Sequence, residues 1–447
     1  MNLRSFIAWA WKTGTLVQVE REVDPHLELA RLMAALDDRP VLFHTLAGFP
    51  GWHAIAGMCA RREHFAAALG CTVPELVQRM ADAMANPVEP PVRDSGPCQE
   101  IEEQVDLTRL PIPRYHPQDG GRYVTSGIAV IKDPDLGRNV SFHRLMLLDE
   151  RRFTARIVEG RGTHTALAKL AKTYSPTAPI RDLPVAIAIG CPIQTLLAAA
   201  MSPAPGVDEL SIAHALAAAP LVRCQTVELE VPAEAELVLE GRITHTLADE
   251  GPFPDLTGTM DYVRRQPVIE IDRVTHRREP IFHALLPGGQ EHKNLMGMPR
   301  EPIIFAAVNE VCRCTGVYIT PGGTSWLHAV VQIEKQHGED GRRAIWAAFH
   351  GHGSLKHVVV VDTDVNIYDS ADVEWAIATR FQADRDLVTL ADQPGSSLDP
   401  SATPMPGQKT RTAKMGLDAT APLGEARRNY ERVPYESVDL AQYGVKT

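Results

Sequence analysis

"VPAEAELVLEGRITHTLADEGPFPDLTG", Val231 to Gly258, divides into two unlike halves. The first, with "AELVLEGRI", carries alternating apolar residues and reads as a β-strand. The second, "LADEGPFPDLTG" from Leu247, sets Asp249, Glu250 and Asp255 around Gly251, Pro252 and Pro254. Two prolines and a glycine so close break helix and strand alike, so a loop is expected there. Working outward, "GIAVIK", "NVSFHRLMLL", "VAIAIG" and "LVRCQTVELEV" also read as strands, with few helices between them. Such a run predicts a barrel or a sandwich in the middle third of the chain.

The flanks differ. "LRSFIAWAWK" and "HLELARLMAAL" have helical spacing, while "LVQVEREV" and "PVLFHTL" are strand-like, which predicts a small N-terminal α/β unit. The proline-rich passages "NPVEPPVRDSGPCQ" and "LPIPRYHP" mark its boundary. In the last third, "HVVVVDTDVN" is an apolar strand of the kind buried on both faces. "SADVEWAIATRF" follows as a helix capped by Asp369 or Ser370. The tail after about Ala391 is expected to be irregular. The domain expectation is therefore 1–105 (α/β with its linker), 106–300 (β-barrel) and 301–447 (α/β with a tail for oligomerisation).

With 447 residues, the chain exceeds one ordinary core. Its net charge of -11 argues against a nucleic-acid footprint, which needs a basic surface. Seven scattered cysteines without a CxxC pair point to neither disulfides nor a zinc knuckle, and fit a cytoplasmic setting. "LPVAIAIGCPIQTLLAAAM", Leu183 to Met201, is broken by Pro184, Gly190 and Pro192. It reads as strand, turn and helix rather than a membrane span. "GHGSLK" lacks a full phosphate-loop pattern, and "DTDVN" lacks the glycine and glutamate of a calcium loop.

Hard-metal sites draw oxygen and nitrogen ligands from separate segments. Asn139, His164 and Glu209 stand at strand ends or in loops beside glycine, although a loop Asn or Glu is more often a solvated or turn residue and such a histidine more often a surface one. Arg144 interrupts the apolar "SFHRLMLL", and a buried arginine must be paired. The acids of the loop are natural partners; an ordinary structural salt bridge is an equal reading. Asn139 and Arg144 would lie roughly 16–17 Å apart along one strand, on opposite faces unless a bulge intervenes.

"NVSFHR", "GVDEL", "VPAEAELVLEGRI" followed by "EGPFPDLTG", "SLKHVVVVDTDVNIYDSADVEWAIATRF" and "AKMGLDAT" together resemble the UbiD family, decarboxylases that use prenylated FMN. The resemblance implies an N-terminal α/β domain, a central split β-barrel like that of flavin reductases, and a C-terminal α/β domain. It also implies a homo-oligomer (a dimer or hexamer), a flavin prenyltransferase as supplier of the cofactor, and a small carboxylic acid as substrate. Carried over by position, Asn139, His164 and Glu209 resemble the ligands of a divalent metal, usually Mn²⁺, that clamps the cofactor phosphate. Met201 resembles a position whose carbonyl holds K⁺, and Phe142 and Lys356 resemble cofactor neighbours.

Arg144, Glu250 and Asp255 resemble the family's catalytic set. Loss of CO₂ leaves a carbanion-like species that must be protonated on carbon. The cofactor supplies the electronics, and the protein supplies orientation, polarity and the proton. Asp255 is the expected donor, with Glu250 ionised against Arg144. The loop departs from the usual EGPFGE or EGPFGD in having Pro254, which fixes φ near −65° and removes a donor. "HALLPGGQEHKNLMGMPREP" and "TPGGTSWLHAVVQI" resemble a short branch that includes archaeal enzymes acting on trans-anhydromevalonate 5-phosphate. His292, Lys293 and Arg300 could serve such a phosphate, although a loop with His, Lys and Arg is more often simply solvated. The broader expectation is an aromatic, heteroaromatic or other α,β-unsaturated acid. A flavin reductase or a non-catalytic flavin-binding subunit is the rival class, and neither needs the acidic loop together with Arg144.

Overall fold

The computed structural model describes residues 1–172, 181–403, 410–433, 435, 438 and 440–443. Among them, the long strand Leu237–Glu250 pairs antiparallel on one side with Leu183–Ile189 and on the other with Arg264–His276. Around these three run, in order, Tyr123–Val124, Leu145–Leu147, Arg152–Ala155, the central three, Ile128–Asp133 and Gly137–Phe142, with Ile101–Glu103 joined to Arg264–His276. The outer strands Tyr123–Val124 and Gly137–Phe142 do not pair with each other, so the barrel is open. Its interior is lined by Ala129, Ile131, Val185, Ile187, Leu239 and Ile243, all buried in one cluster. Gly241 marks a shift of register in the long strand. A Cβ there would lie 2.0 Å from the Glu270 carbonyl oxygen, so only glycine permits that approach.

The N-terminal layer holds a sheet of Val17–Val19, Val41–Phe43, His53–Ala56 and Ile281–His283. Its last strand comes from far along the chain. Helix Gln290–Gly297 follows that strand and is anchored back to the layer. Buried Glu291 accepts the backbone N–H groups of Gly57 and Cys59, each at 2.9 Å, and contacts His283 Nε2 at 3.0 Å. The C-terminal domain is a mixed sheet in the order Arg313–Ile319, His328–Glu334, His357–Asp362, Arg411–Ala419, Leu387–Pro394. Asp369 caps the helix Ser370–Arg380 by accepting the Ala371 N–H.

Four local expectations change. Leu247–Glu250 is strand, not loop: its backbone continues the pairing with Arg264–Pro267. Phe253–Pro254 then pairs with Met260–Asp261, which reduces the loop to a short hairpin. The apolar run around Arg144 is two strands, Gly137–Phe142 and Leu145–Leu147, with His143 and Arg144 between them. The tail is not irregular throughout, because Arg411–Ala419 lies inside the C-terminal sheet. Three helices, Gly162–Lys172, Ile193–Ala199 and Glu209–Leu216, interrupt the strand-rich third. No described helix is long and apolar enough to cross a membrane. Residues 434, 436, 437, 439 and 444–447 of the expected oligomerisation tail lie outside the described residues.

Candidate active site

The break between the strands Gly137–Phe142 and Leu145–Leu147 frees Arg144 to reach the end of the long strand. Its Nε donates to Glu250 Oε1 at 2.8 Å and its Nη2 to Oε2 at 2.9 Å, a forked pair. Glu250 is fully buried. The Tyr123 hydroxyl donates to Glu250 Oε1 at 3.3 Å and accepts the Gly251 N–H at 3.1 Å. Arg144 also donates to Asp261 at 3.0 Å and lies 5.0 Å from the Phe253 ring centroid. Arg264 and Arg144 together hold the Asp261 carboxyl below the usual carboxylate range. Tyr123 and Asp261 complete this network, and no motif in the sequence points to either.

Asp255 sits on the hairpin beyond the pair. Its backbone N–H donates to Thr259 O at 2.9 Å, and its carboxylate accepts the Leu256 N–H at 2.6 Å. No arginine or lysine pairs with it among the described residues. Pro254 does not disturb this geometry. It lies in the extended pair opposite Met260, where a fixed negative φ is compatible, and the positive φ of the turn falls at Gly251 (φ 99). Gly120 packs so closely on Gly251 that a Cβ would stand 2.1 Å from the Gly251 carbonyl oxygen. Helix Gln290–Gly297 closes the other side. Gly288 lies against the Asp255 backbone and donates its N–H to His292 Nδ1 at 3.0 Å. A neutral His292 therefore carries its proton on Nε2. Burial holds this imidazole below its ordinary range, with Asp255 opposing the shift.

The expected metal ligands are brought together only in part. Asn139 Nδ2 donates to Glu209 Oε1 at 3.0 Å, and the Val140 N–H donates to Oε2 at 2.8 Å. Burial pushes the Glu209 carboxyl up to about 7. Gly162 abuts Asn139, where a Cβ would lie 2.5 Å from Oδ1. Asn139 and Glu209 thus present amide and carboxylate oxygens in one crowded place, a donor set that fits a hard divalent cation. His164 and Glu209 stand in the helices Gly162–Lys172 and Glu209–Leu216 rather than in loops or at strand ends, and no described contact joins His164 to the pair. It accepts the Gly160 N–H at 3.3 Å and lines a groove of about 260 Å³ with Leu167, His245 and Leu247. Among the described residues no cluster of three His, Cys, Asp or Glu side chains is poised for a metal. Met201 is buried just after helix Ile193–Ala199, and Phe142 ends its strand partly buried. Lys356 is turned into the C-terminal domain, paired with Asp399 at 3.0 Å.

Three family profiles match in succession: the N-terminal domain of 3-octaprenyl-4-hydroxybenzoate carboxy-lyase over 7–84, its Rift-related domain over 91–290, and its C-terminal domain over 293–419. The chain belongs to the UbiD family. It is 41% identical over 435 residues to an anhydromevalonate phosphate decarboxylase of Methanosarcina mazei, covering 97% of this chain and 99% of that one. The fold superposes on the UbiD-class enzyme HmfF of Pelotomaculum thermopropionicum in complex with FMN, at TM-score 0.92 and 38% identity, over 99% of this chain and 100% of that one. An evolved dimeric form of HmfF in complex with prFMN matches at TM-score 0.88 and 37% identity, over 99% of each chain. The open barrel between two α/β domains is thus the UbiD architecture, and the chain is a UbiD-class carboxy-lyase.

Proposed function

We propose that this enzyme uses prenylated FMN to decarboxylate a phosphorylated α,β-unsaturated acid of the anhydromevalonate phosphate type, with Asp255 as proton donor. The division of labour between the two loop acids carries the chemistry. Glu250 gives both carboxylate oxygens to Arg144, whereas Asp255 keeps its carboxyl clear of any cation. When bound, the cofactor supplies the electron sink for the pair released by the breaking C–CO₂ bond. CO₂ departs, and the carbon that loses it takes a proton from the Asp255 carboxyl, which solvent then replaces. Glu250 holds Arg144 in place beside that event, and His292 closes the pocket against water. Asn139 and Glu209 would hold a divalent cation such as Mn²⁺ against the cofactor phosphate, and the Met201 carbonyl would hold K⁺. His164 would have to turn from its groove to complete the set.

The relative of Methanosarcina mazei, aligned over nearly its whole length, supports the phosphate subclass over the broader aromatic or heteroaromatic acids. The test is the chain produced together with a flavin prenyltransferase and assayed for CO₂ release. Trans-anhydromevalonate 5-phosphate, its dephosphorylated form and 3,4-dihydroxybenzoate are compared. Turnover of the phosphate ester at a kcat/KM at least about tenfold above the other two is expected. Turnover of 3,4-dihydroxybenzoate alone would return the reading to the aromatic class.

A further inference from the structure

Most deeply placed arginines of the fold have a carboxylate partner. Arg62 meets Glu301, Arg144 meets Glu250, and Arg380 meets Asp362 and Asp364. Arg300, on the single helical turn Met298–Arg300, has none. Its side chain makes no hydrogen bond or ion pair among the described residues, and its Nε is buried without a partner. The guanidinium lies 5.5 Å from the Trp326 ring centroid. Trp326 in turn meets His352 edge-on, with centroids 4.5 Å apart. His352 is buried, and its Nε2 also lacks a partner, as does the hydroxyl of Thr324 two residues before Trp326.

The nearby charge that Arg300 feels is another cation. Burial, and then repulsion from Arg161, bring Arg300 down to about 10, and burial and Arg300 together bring His352 down to about 3. Arg161 is exposed and itself has no acid partner among the described residues. A cation stripped of water beside a second cation is costly unless an anion completes the site. Two planar guanidinium forks match the oxygens of a phosphate, and two positive charges favour a dianion over a monoanion.

We propose that Arg161 and Arg300 form a binding site for a phosphate monoester. Arg161 adjoins Gly162, which packs on Asn139, so the site borders the place assigned above to the cofactor phosphate. Two phosphates could therefore occupy it, the substrate's or the flavin's. That the substrate's does so rests on the function proposed above.

Titration calorimetry on the full chain, with and without FMN, separates these cases, using n-butyl phosphate and FMN as the probes. Wild type is compared with Arg161→Gln, Arg300→Gln and the charge-conserving Arg300→Lys, each checked for an unchanged melting temperature. If the substrate's phosphate is the occupant, FMN-loaded wild type binds butyl phosphate. Each glutamine variant then binds it about tenfold or more weakly, Arg300→Lys falls between, and FMN affinity does not move. If the flavin's phosphate is the occupant, FMN affinity falls by a similar factor and bound FMN excludes butyl phosphate. Either pattern supports the site. It is overturned if wild type binds neither probe, or if both affinities are unchanged in the glutamine variants. Butyl phosphate binding that depends on Arg300, in an enzyme that does not decarboxylate phosphorylated acids, would sink the substrate reading and leave the site standing.

Discussion

Arg144 and Arg300 are both largely shielded arginines, and their surroundings are opposite. Arg144 has used its Nε and Nη2 donors within the protein, on Glu250 and Asp261, and the Tyr123 hydroxyl donates to the same Glu250 oxygen as Nε. Arg300 has an aromatic ring, a neutral histidine and another arginine as neighbours, and no acid pairs with it among the described residues, since the adjoining Glu301 is taken by Arg62. A buried ion pair contributes shape and a fixed field, because its hydrogen bonds are already made. A buried cation left without one contributes affinity for whatever anion arrives. On the two roles proposed above, the fold would keep the chemistry, where charges must not move, apart from recognition, where a charge must be supplied from outside.

The sharpest way to probe this division is the acid that the first network leaves out. Asp255→Asn keeps an oxygen to accept the Leu256 N–H, so the hairpin should hold and bound flavin should remain. It removes the transferable proton, and CO₂ release should fall by about 10²–10⁴-fold with the flavin absorption unchanged. Wild-type turnover would assign the proton elsewhere, with His292 the next group facing the site. A smaller effect follows from breaking the pair itself. Glu250→Gln strips Arg144 of its ionic partner while Asp261 stays at 3.0 Å. Loss of one partner of a buried pair costs about 3–5 kcal/mol, and the remaining acid places this variant near about 3 kcal/mol. Urea denaturation of the flavin-free protein measures it; a midpoint unchanged from wild type would mean that the pair contributes nothing to the fold.

Where structure was set by local pattern, the sequence displayed it. The apolar strand His357–Asp362 and the helix capped by Asp369 follow from the burial period and cap chemistry of their own residues. Elements held by distant partners were hidden. Leu247–Glu250 has an acidic, proline-flanked sequence and is extended because Arg264–Pro267 pairs with it. Arg411–Ala419 looks like a polar tail and is a strand because His357–Asp362 and Leu387–Pro394 flank it. The site divides likewise. Arg144, Glu250 and Asp255 could be named from the resemblance, but Tyr123 and Asp261 join them only through tertiary packing. The unpaired state of Arg300 is a property of what surrounds it, and no motif encodes the absence of a neighbour.

The smallest expected effect bears on that unpaired state. Removing the charge from Arg144's partner should weaken the fold, whereas removing the charge of Arg300 should not. Arg300→Gln abolishes the repulsion from Arg161 and the cost of holding a cation without an anion, while a shorter side chain gives up part of the contact with Trp326. These terms oppose each other and are individually small. The ligand-free variant should therefore be as stable as wild type to within about 0.5 kcal/mol, or slightly more stable. Adding n-butyl phosphate should then raise the wild-type melting temperature and leave that of the variant still, because only a ligand bound by the native state shifts its stability. A ligand-free variant destabilised as strongly as Glu250→Gln would show Arg300 to be a structural residue like Arg144, and the contrast between the two arginines would disappear.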